Sequence, residues 1–259
     1  SAPLHFNLGI ALRQNGALED AVAAYDRAVA LAPDAAPVWY NRANALSYLG
    51  DQDAALESFD EALKRNPDYA EARFSKSLSL LMAGRFAEGW DLHESRFAAR
   101  GFDTPDRTAP FPRWAGEDLS GKTIAVWGEQ GIGDEIRYLS CLPDLIARAG
   151  RVVYLCAPRL ETIARRSFPQ IDVRPSAPKS PTLDVVADFH LPVGSLPKYF
   201  RRSLEAFGEP RPILTAESAR IDRWHDWLAS LGAGRTVGIS WRSGSKGSRK
   251  RLRYAPLDA

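Results

Sequence analysis

The hydrophobic pattern of this chain changes period part-way along. Over roughly the first hundred residues, small residues and prolines recur at a fixed offset: Gly16, Gly50 and Gly84, Ala21 and Ala55, Pro33 and Pro67, each 34 residues after its predecessor. Further on, an apolar run from Thr123 to Trp127 leads into Gly128-Glu129-Gln130-Gly131-Ile132-Gly133-Asp134. An amphipathic segment follows to Ala149, and Gly150 ends it before the β-branched run Arg151 to Cys156, which Pro158 bounds. This order predicts strand, glycine turn, helix and strand, a βαβ unit. The rhythm continues with a helix from about Arg159 to Ser167, a short strand near Ile171 to Arg174, a Pro/Ser loop and a strand over Leu183 to Val186. Helices near Leu196 to Phe207 and Glu217 to Leu231 lead to a strand from Thr236 to Trp241. The predicted fold is a set of helical repeats followed by an open, Rossmann-like parallel sheet with flanking helices.

A period of 34 is that of the tetratricopeptide repeat. Leu8, Gly9, Leu12, Gly16, Ala21, Tyr25, Ala28 and Pro33 occupy its usual places in the first repeat, and Trp39, Ala43, Leu46, Gly50, Ala55, Phe59, Ala62 and Pro67 in the second. A third, from Ala70 to about Asp103, keeps Leu80 and Gly84 but has Gly89 where alanine belongs, as expected of a terminal repeat adapted to its neighbour. Predicted divisions are repeats over 1–103, a Pro/Gly-rich linker over 104–121 anchored by Phe111, Pro112 and Trp114, an α/β half over 122–235, and the start of a second half over 236–259. The chain opens on Ser1 and closes on Ala259 soon after a strand, and is expected to be a piece of a longer protein.

Composition narrows the class without naming it. The net charge is +2, so global charge selects no partner, and no aromatic-basic interleaving points to nucleic acid. No apolar run is long enough to span a bilayer and no signal peptide is visible. Cys141 and Cys156 lack metal-ligand spacing and are expected to be reduced core thiols of a cytoplasmic protein. Asp51-Gln52-Asp53 mimics an Asp-x-Asp metal motif but falls after Gly50, where acidic helix caps are expected, so no metal is implied.

The turn after the first strand is the first place to look for chemistry, because βαβ units hold ligands beyond the carboxyl ends of their strands. Its spacing, G-x-x-G-x-G-D, is neither the dinucleotide fingerprint nor a P-loop. Gly131 and Gly133 are read as residues of a tight turn. Glu129 either bonds a substrate hydroxyl or faces water. His190 either reaches the cleft or is a partnered structural residue. Six basic residues with no acid lie between Arg242 and Arg253, and the loop carrying Ser243, Gly244, Lys246 and Arg251 after a strand suits a diphosphate, or is a solvated surface loop.

Phe86-Ala87-Glu88-Gly89-Trp90, the linker Phe111-Pro112-Arg113-Trp114 with Gly121-Lys122, and Glu129-Gln130-Gly131-Ile132-Gly133-Asp134 resemble bacterial proteins that join tetratricopeptide repeats to a heptosyltransferase-like glycosyltransferase. The resemblance implies a GT-B arrangement of two Rossmann-like halves, of which this chain holds the first and only the opening of the second. It implies inverting transfer from a nucleotide sugar, without a metal or other cofactor, and a chain inactive alone for want of most of its donor half. It places the catalytic carboxylate at Asp134, acceptor contacts around Glu129, Gln130, Gly131, Gly133 and His190, and donor phosphates on the loop of Ser243, Gly244, Lys246 and Arg251. A carboxylate at a helix N-terminus is stabilised in its ionised form, so Asp134 would accept a proton late, once the acceptor hydroxyl has become acidic. The alternative is that Asp134 only caps the helix. The repeat fold implies a peptide groove lined by Phe6, Arg13, Tyr40, Asn44 and Tyr48. A non-catalytic repeat scaffold with a degenerate transferase-like domain is the second reading.

Overall fold

The computed structural model describes residues 1–129, 131–177, 180–209, 211–232 and 234. The chain divides into two compact units, Ser1–Thr215 and Ala216–Ala259.

In the first unit three antiparallel helix pairs come first: α1 (Ala2–Gln14) with α2 (Leu18–Leu31), α3 (Ala36–Leu49) with α4 (Gln52–Arg65), and α5 (Ala70–Met82) with α6 (Phe86–His93). The 34-residue glycines explain the turns. Gly16, Gly50 and Gly84 have φ of +86°, +91° and +76°, a left-handed conformation that ends each first helix and that a Cβ would strain. Asp51 caps α4, its carboxylate accepting the Ala54 amide at 3.1 Å. Small residues let the pairs close: a side chain at Gly9 would strike the Tyr25 ring, and one at Gly89 would come within 2.7 Å of Leu81 Cδ2. Gly89 thus departs from the repeat pattern because the last pair places the bulkier Leu81 against it. The repeat cores centre on Ala21, Tyr25, Ala28, Val38 and Ala45, and on Ala43, Leu46, Ala55, Phe59, Ala62 and Ala72.

A 3₁₀ turn, Glu94–Ala98, leads from α6 into the linker. Among the described residues the sheet has four parallel strands, β1 (Thr123–Trp127), β2 (Arg151–Cys156), β3 (Asp172–Pro175) and β4 (Phe189–Pro192), in the order β3-β2-β1-β4. Alternation sorts its side chains onto two faces. Ile124, Val126, Val152, Tyr154 and Leu191 pack with α7 (Ile132–Tyr138), α8 (Leu142–Ile146), α9 (Glu161–Ser167) and α10 (Leu196–Phe200). Trp127, Val153 and Leu155 pack with Phe97 of the 3₁₀ turn and with Leu183, Ala109 and Phe111 from irregular segments.

The linker is anchored as expected. Phe111 joins the second face, Trp114 the first, and the Trp114 amide donates to the His190 carbonyl at 2.9 Å while the His190 amide donates to the Pro112 carbonyl at 3.0 Å. The outer edge of β4 is thereby covered by the linker.

Three elements differ from the sequence pattern. The fourth strand is Phe189–Pro192, paired with Ile124–Trp127, and not Leu183 to Val186, which an apolar run alone could not distinguish; Leu183 instead turns into the second face. The amphipathic segment after the glycine turn breaks into α7, a 3₁₀ turn at Leu139–Cys141, and α8, because Pro143 in the first turn of α8 has no amide to continue α7. The helix near Leu196 stops at Phe200, where the Arg201 guanidinium turns inward to Asp144 (2.8 Å) and the Ser140 carbonyl (2.7 Å).

The second unit contains α11 (Ser218–Ser230), an amphipathic helix whose Ile221, Trp224 and Trp227 are exposed, as is Leu231 at its C-cap. The strand expected over Thr236 to Trp241, and the loop of Ser243, Gly244, Lys246 and Arg251, lie outside the described residues, as does Gln130.

Candidate functional site

The strand order puts the reversal of winding between β1 and β4, so the crevice in which such sheets bind ligands opens at the carboxyl ends of these two strands. Glu129 follows β1 and Gly194-Ser195 follow β4 into that crevice. It is filled from within the chain. Arg96, from the 3₁₀ turn that ends the repeats, is fully buried and grips the Glu129 carboxylate with two donors, Nε to Oε2 at 2.7 Å and Nη2 to Oε1 at 3.1 Å. Its remaining hydrogens go to Ser195 Oγ (2.8 Å), Glu94 Oε1 (2.9 Å) and the His93 carbonyl (3.1 Å). The Gly194 amide donates to Glu129 Oε1 at 2.5 Å, and a side chain at Gly194 would collide with that oxygen. Ser195 Oγ in turn donates to Glu94 at 2.7 Å.

Burial pushes the Glu129 carboxyl up, and Arg96 and the Gly194 amide oppose this. Burial works against the charge of Arg96 too, but Glu129 and Glu94 outweigh it and hold the guanidinium protonated. The expectation that Glu129 meets substrate or water is therefore corrected: each of its oxygens is engaged inside the protein.

The linker roofs the same edge. Thr104 Oγ1 donates to the Glu129 carbonyl, and the buried Arg107 donates to Ser176 Oγ at 2.8 Å and to the Ala177 carbonyl at 3.0 Å, beyond the end of β3. The Arg107 guanidinium lies 5.0 Å from the centre of the Trp127 ring.

The glycine that the turn requires is Gly128, where a Cβ would lie 2.5 Å from the Glu135 carboxylate. Gly131 has φ −68° and serves as the N-cap of α7, while a Cβ at Gly133, in the first turn of that helix, would meet nothing within 4 Å. The tight-turn expectation for these two is corrected: neither occupies the left-handed region.

Asp134 sits in the first turn of α7, with its side chain 44% exposed and Oδ1 3.3 Å from Arg137 Nη2. Among the described residues its side chain bonds Arg137 and accepts no backbone amide of the first turn, which corrects the capping alternative; its charge still favours the positive end of the helix. The neighbouring Glu135 was not singled out by the sequence reading, yet it is the buried carboxylate, accepting from the Tyr154 hydroxyl at 2.6 Å and the Ala157 amide at 3.0 Å. Burial pushes its carboxyl up, with Tyr154 and Ala157 pulling the other way. Helical spacing could have found it, since Glu135 shares an inward face with Tyr138, Leu139 and Leu142.

His190 is internal. Buried in β4, it accepts from Trp127 Nε1 at 3.4 Å and meets the edge of Phe111, and burial reinforced by Arg113 pushes its imidazole toward the neutral form. The cleft reading of His190 is corrected in favour of the partnered one. A pocket of about 550 Å³ lies elsewhere, lined by Ser140, Phe168, Arg201 and Ile213 among others, and contains none of the predicted site residues.

In the repeats, Phe6 packs on Tyr25 (6.2 Å between ring centres) and Tyr40 on Tyr69 (5.0 Å), so both are partly spent on packing. Asn44 donates to the Tyr40 carbonyl of its own helix at 3.0 Å. Arg13 lies by the Tyr25 hydroxyl, whose pKa burial raises and Arg13 lowers. Tyr48 is open, as are Leu78 and Met82, which stand 34 residues after Asn44 and Tyr48 and which the period could have supplied.

The tetratricopeptide-repeat family matches residues 36–69, and a second TPR-repeat family matches residues 9–50. The N-terminal helices are tetratricopeptide repeats. Protein FlbA of Caulobacter vibrioides is 31% identical over 200 residues, covering 71% of this chain and 33% of FlbA, so the chain spans one third of that relative's length. Among solved structures, MamA gives a TM-score of 0.36 at 24% identity, covering 37% of this chain and 56% of MamA. The Sgt2 TPR domain from Aspergillus fumigatus gives 0.37 at 23% identity, with 39% and 66% covered. The first TPR of Spaghetti (RPAP3), solved bound to an HSP90 peptide, gives 0.36 at 19% identity, with 36% and 75% covered.

Proposed function

We propose that this chain is the partner-recruiting part of an inverting glycosyltransferase, in which the repeats hold a segment of a partner protein and the α/β half presents Asp134 to the acceptor hydroxyl. The observation that carries the reading is the buried joint of Arg96 with Glu129 and Ser195, which ties the last repeat to the carboxyl ends of β1 and β4. Whatever the repeats bind is held in fixed register with the sheet. Rigid placement is what a transferase acting on a macromolecular acceptor needs, because orientation supplies much of the rate. Asp134 is suited to the base role by exposure: it is an open carboxylate at this edge, whereas Glu129 and Glu135 are enclosed. It would take the hydroxyl proton as the bond from the anomeric carbon to the departing diphosphate breaks. The nucleotide sugar and the phosphate role of Ser243, Gly244, Lys246 and Arg251 belong to this proposal.

One observation favours a second reading, a non-catalytic scaffold: the crevice between β1 and β4 is occupied by Arg96. Calorimetry of ADP, UDP, GDP and CMP, each with and without a sugar, on the natural full-length protein separates the two. Saturable, nucleotide-selective binding supports the transferase; its absence in a folded protein supports the scaffold. Within the transferase reading, Asp134→Asn abolishes turnover with thermal stability unchanged, and wild-type turnover in that variant would remove Asp134 from the role.

A further inference from the structure

Each first helix after α1 turns one face to the preceding repeat, and α3 and α5 show what that face does. Val38 on α3 is buried in the cluster of Ala21, Tyr25 and Ala28 from the first repeat, and Ala72 on α5 in the cluster of Ala55, Phe59 and Ala62 from the second. One turn on, Arg42 reaches back to Asp26 on α2 at 2.6 Å, and Lys76 reaches back to Asp60 on α4. Another turn on, Ala45 and Ser79 are buried, and Ser79 Oγ donates to Ser47 Oγ of the previous repeat at 3.0 Å. The residues 34 positions earlier are Leu4, Leu8 and Ala11 on α1. All three are open, Leu4 being 66% and Leu8 46% exposed.

We infer that this face of α1 docks the second helix of a further tetratricopeptide repeat lying N-terminal to it in the same polypeptide. The face continues an interface that the chain already builds twice, with the same spacing of positions, so the occupant is the element that fills it at α3 and α5. Its chemistry differs at one point. Arg42 and Lys76 each meet an aspartate, whereas Leu8 offers a branched apolar side chain, so the occupant carries an apolar residue in the place of Asp26 and Asp60. An aspartate there would be desolvated against leucine with no cation in reach.

The test uses Leu8→Cys in the natural full-length polypeptide and in the 259-residue chain. Cys141 and Cys156 are buried, and peptide mass spectrometry reads the maleimide adduct at position 8 in both polypeptides. Modification is expected to be at least about tenfold slower in the full-length protein, the protection given by an interface opening costing about 1.4 kcal/mol; equal rates would overturn the inference. A benzophenone on the same cysteine distinguishes occupants. A cross-link to residues upstream in the same polypeptide supports the proposal, whereas a cross-linked dimer or no cross-link rejects it. Leu8→Arg guards against local unfolding of the cysteine variant: it lowers the melting temperature of the full-length protein and leaves that of the 259-residue chain unchanged, and no change in either would reject the proposal.

Discussion

Two kinds of joint occur in the first compact unit, between one repeat and the next and between the last repeat and the sheet, and they use like parts in unlike surroundings. Asp26, Asp60 and Glu94 follow one another at 34-residue spacing. The first two take cations from the following repeat, with Arg42 and Asp26 side chains 23% and 51% exposed. Glu94 has no following repeat and takes Arg96 and Ser195 instead, beside an Arg96–Glu129 pair that is 0% and 1% exposed. An exposed pair is screened by water and contributes little, whereas a buried one cannot lose a partner without stranding a charge. The repeat joint is therefore tolerant and interchangeable, and the joint to the sheet is specific and fragile.

The largest test of this contrast is Arg96→Ala. It leaves Glu129 buried without its cation and is expected to cost about 3–5 kcal/mol in urea unfolding. Replacing both partners, Arg96→Met with Glu129→Leu, is expected to recover most of that loss, because the desolvation of two charges disappears along with their attraction. A cost under about 1 kcal/mol for Arg96→Ala, the range of exposed pairs, would break the comparison.

His93 makes the same joint acid-sensitive. It is buried edge-on to Trp90, against Phe74, and burial, reinforced by Arg96 and Arg137, pushes its pKa down from 6.5 to about 3. The unfolded chain then binds a proton below pH 6.5 that the folded chain refuses until about pH 3. Stability assigned to His93 is complete above pH 6.5 and falls with decreasing pH across that window, by at most about 1.4 kcal/mol per pH unit. The measurement is the difference in unfolding free energy between the wild type and His93→Phe as a function of pH; a flat difference would show that this imidazole protonates freely in the folded state.

Gly128 and Gly133 sharpen the picture at the turn. Gly128→Ala drives a methyl into the Glu135 carboxylate and is expected to cost about 1–3 kcal/mol. Gly133→Ala, in open space within α7, is expected to stabilise by up to about 1 kcal/mol. Equal penalties would mean that the whole glycine turn, and not the packing at Gly128, is what the sequence protects.

The contrast also explains what could be read without coordinates. Repeat structure is local and periodic, so Gly16, Gly50 and Gly84 announced their turns and Asp51 its cap. Strands β1 and β2 were legible because their apolar runs are bounded by glycine and proline. The site was less legible because its key contacts join residues far apart in sequence: Glu129 is 33 residues from Arg96 and 65 from Gly194. No spacing rule marks a surface-type residue such as Arg96 as the one that fills a crevice. Phe189–Pro192 was passed over for a related reason, since the His190 imidazole is received in a buried strand by Trp127 and Phe111, which lie far from it in sequence.

The smallest effect is expected at the repeat joint, and it needs a cycle to isolate it. Arg42 donates both to Asp26 and to Ser58 Oγ, at 2.6 Å each, so Arg42→Ala alone removes two bonds. The double-mutant cycle with Asp26→Ala isolates the ion pair. Its coupling is expected to be about 0.2–1 kcal/mol and to shrink as salt is added, since Asp26 is half exposed. The matching cycle of Arg96 with Glu129 is expected to give a several-fold larger coupling that salt barely changes, because neither side chain is reached by ions. Equal couplings, or equal salt dependence, would mean that the two joints share one energetic design and that burial at the sheet adds only geometry.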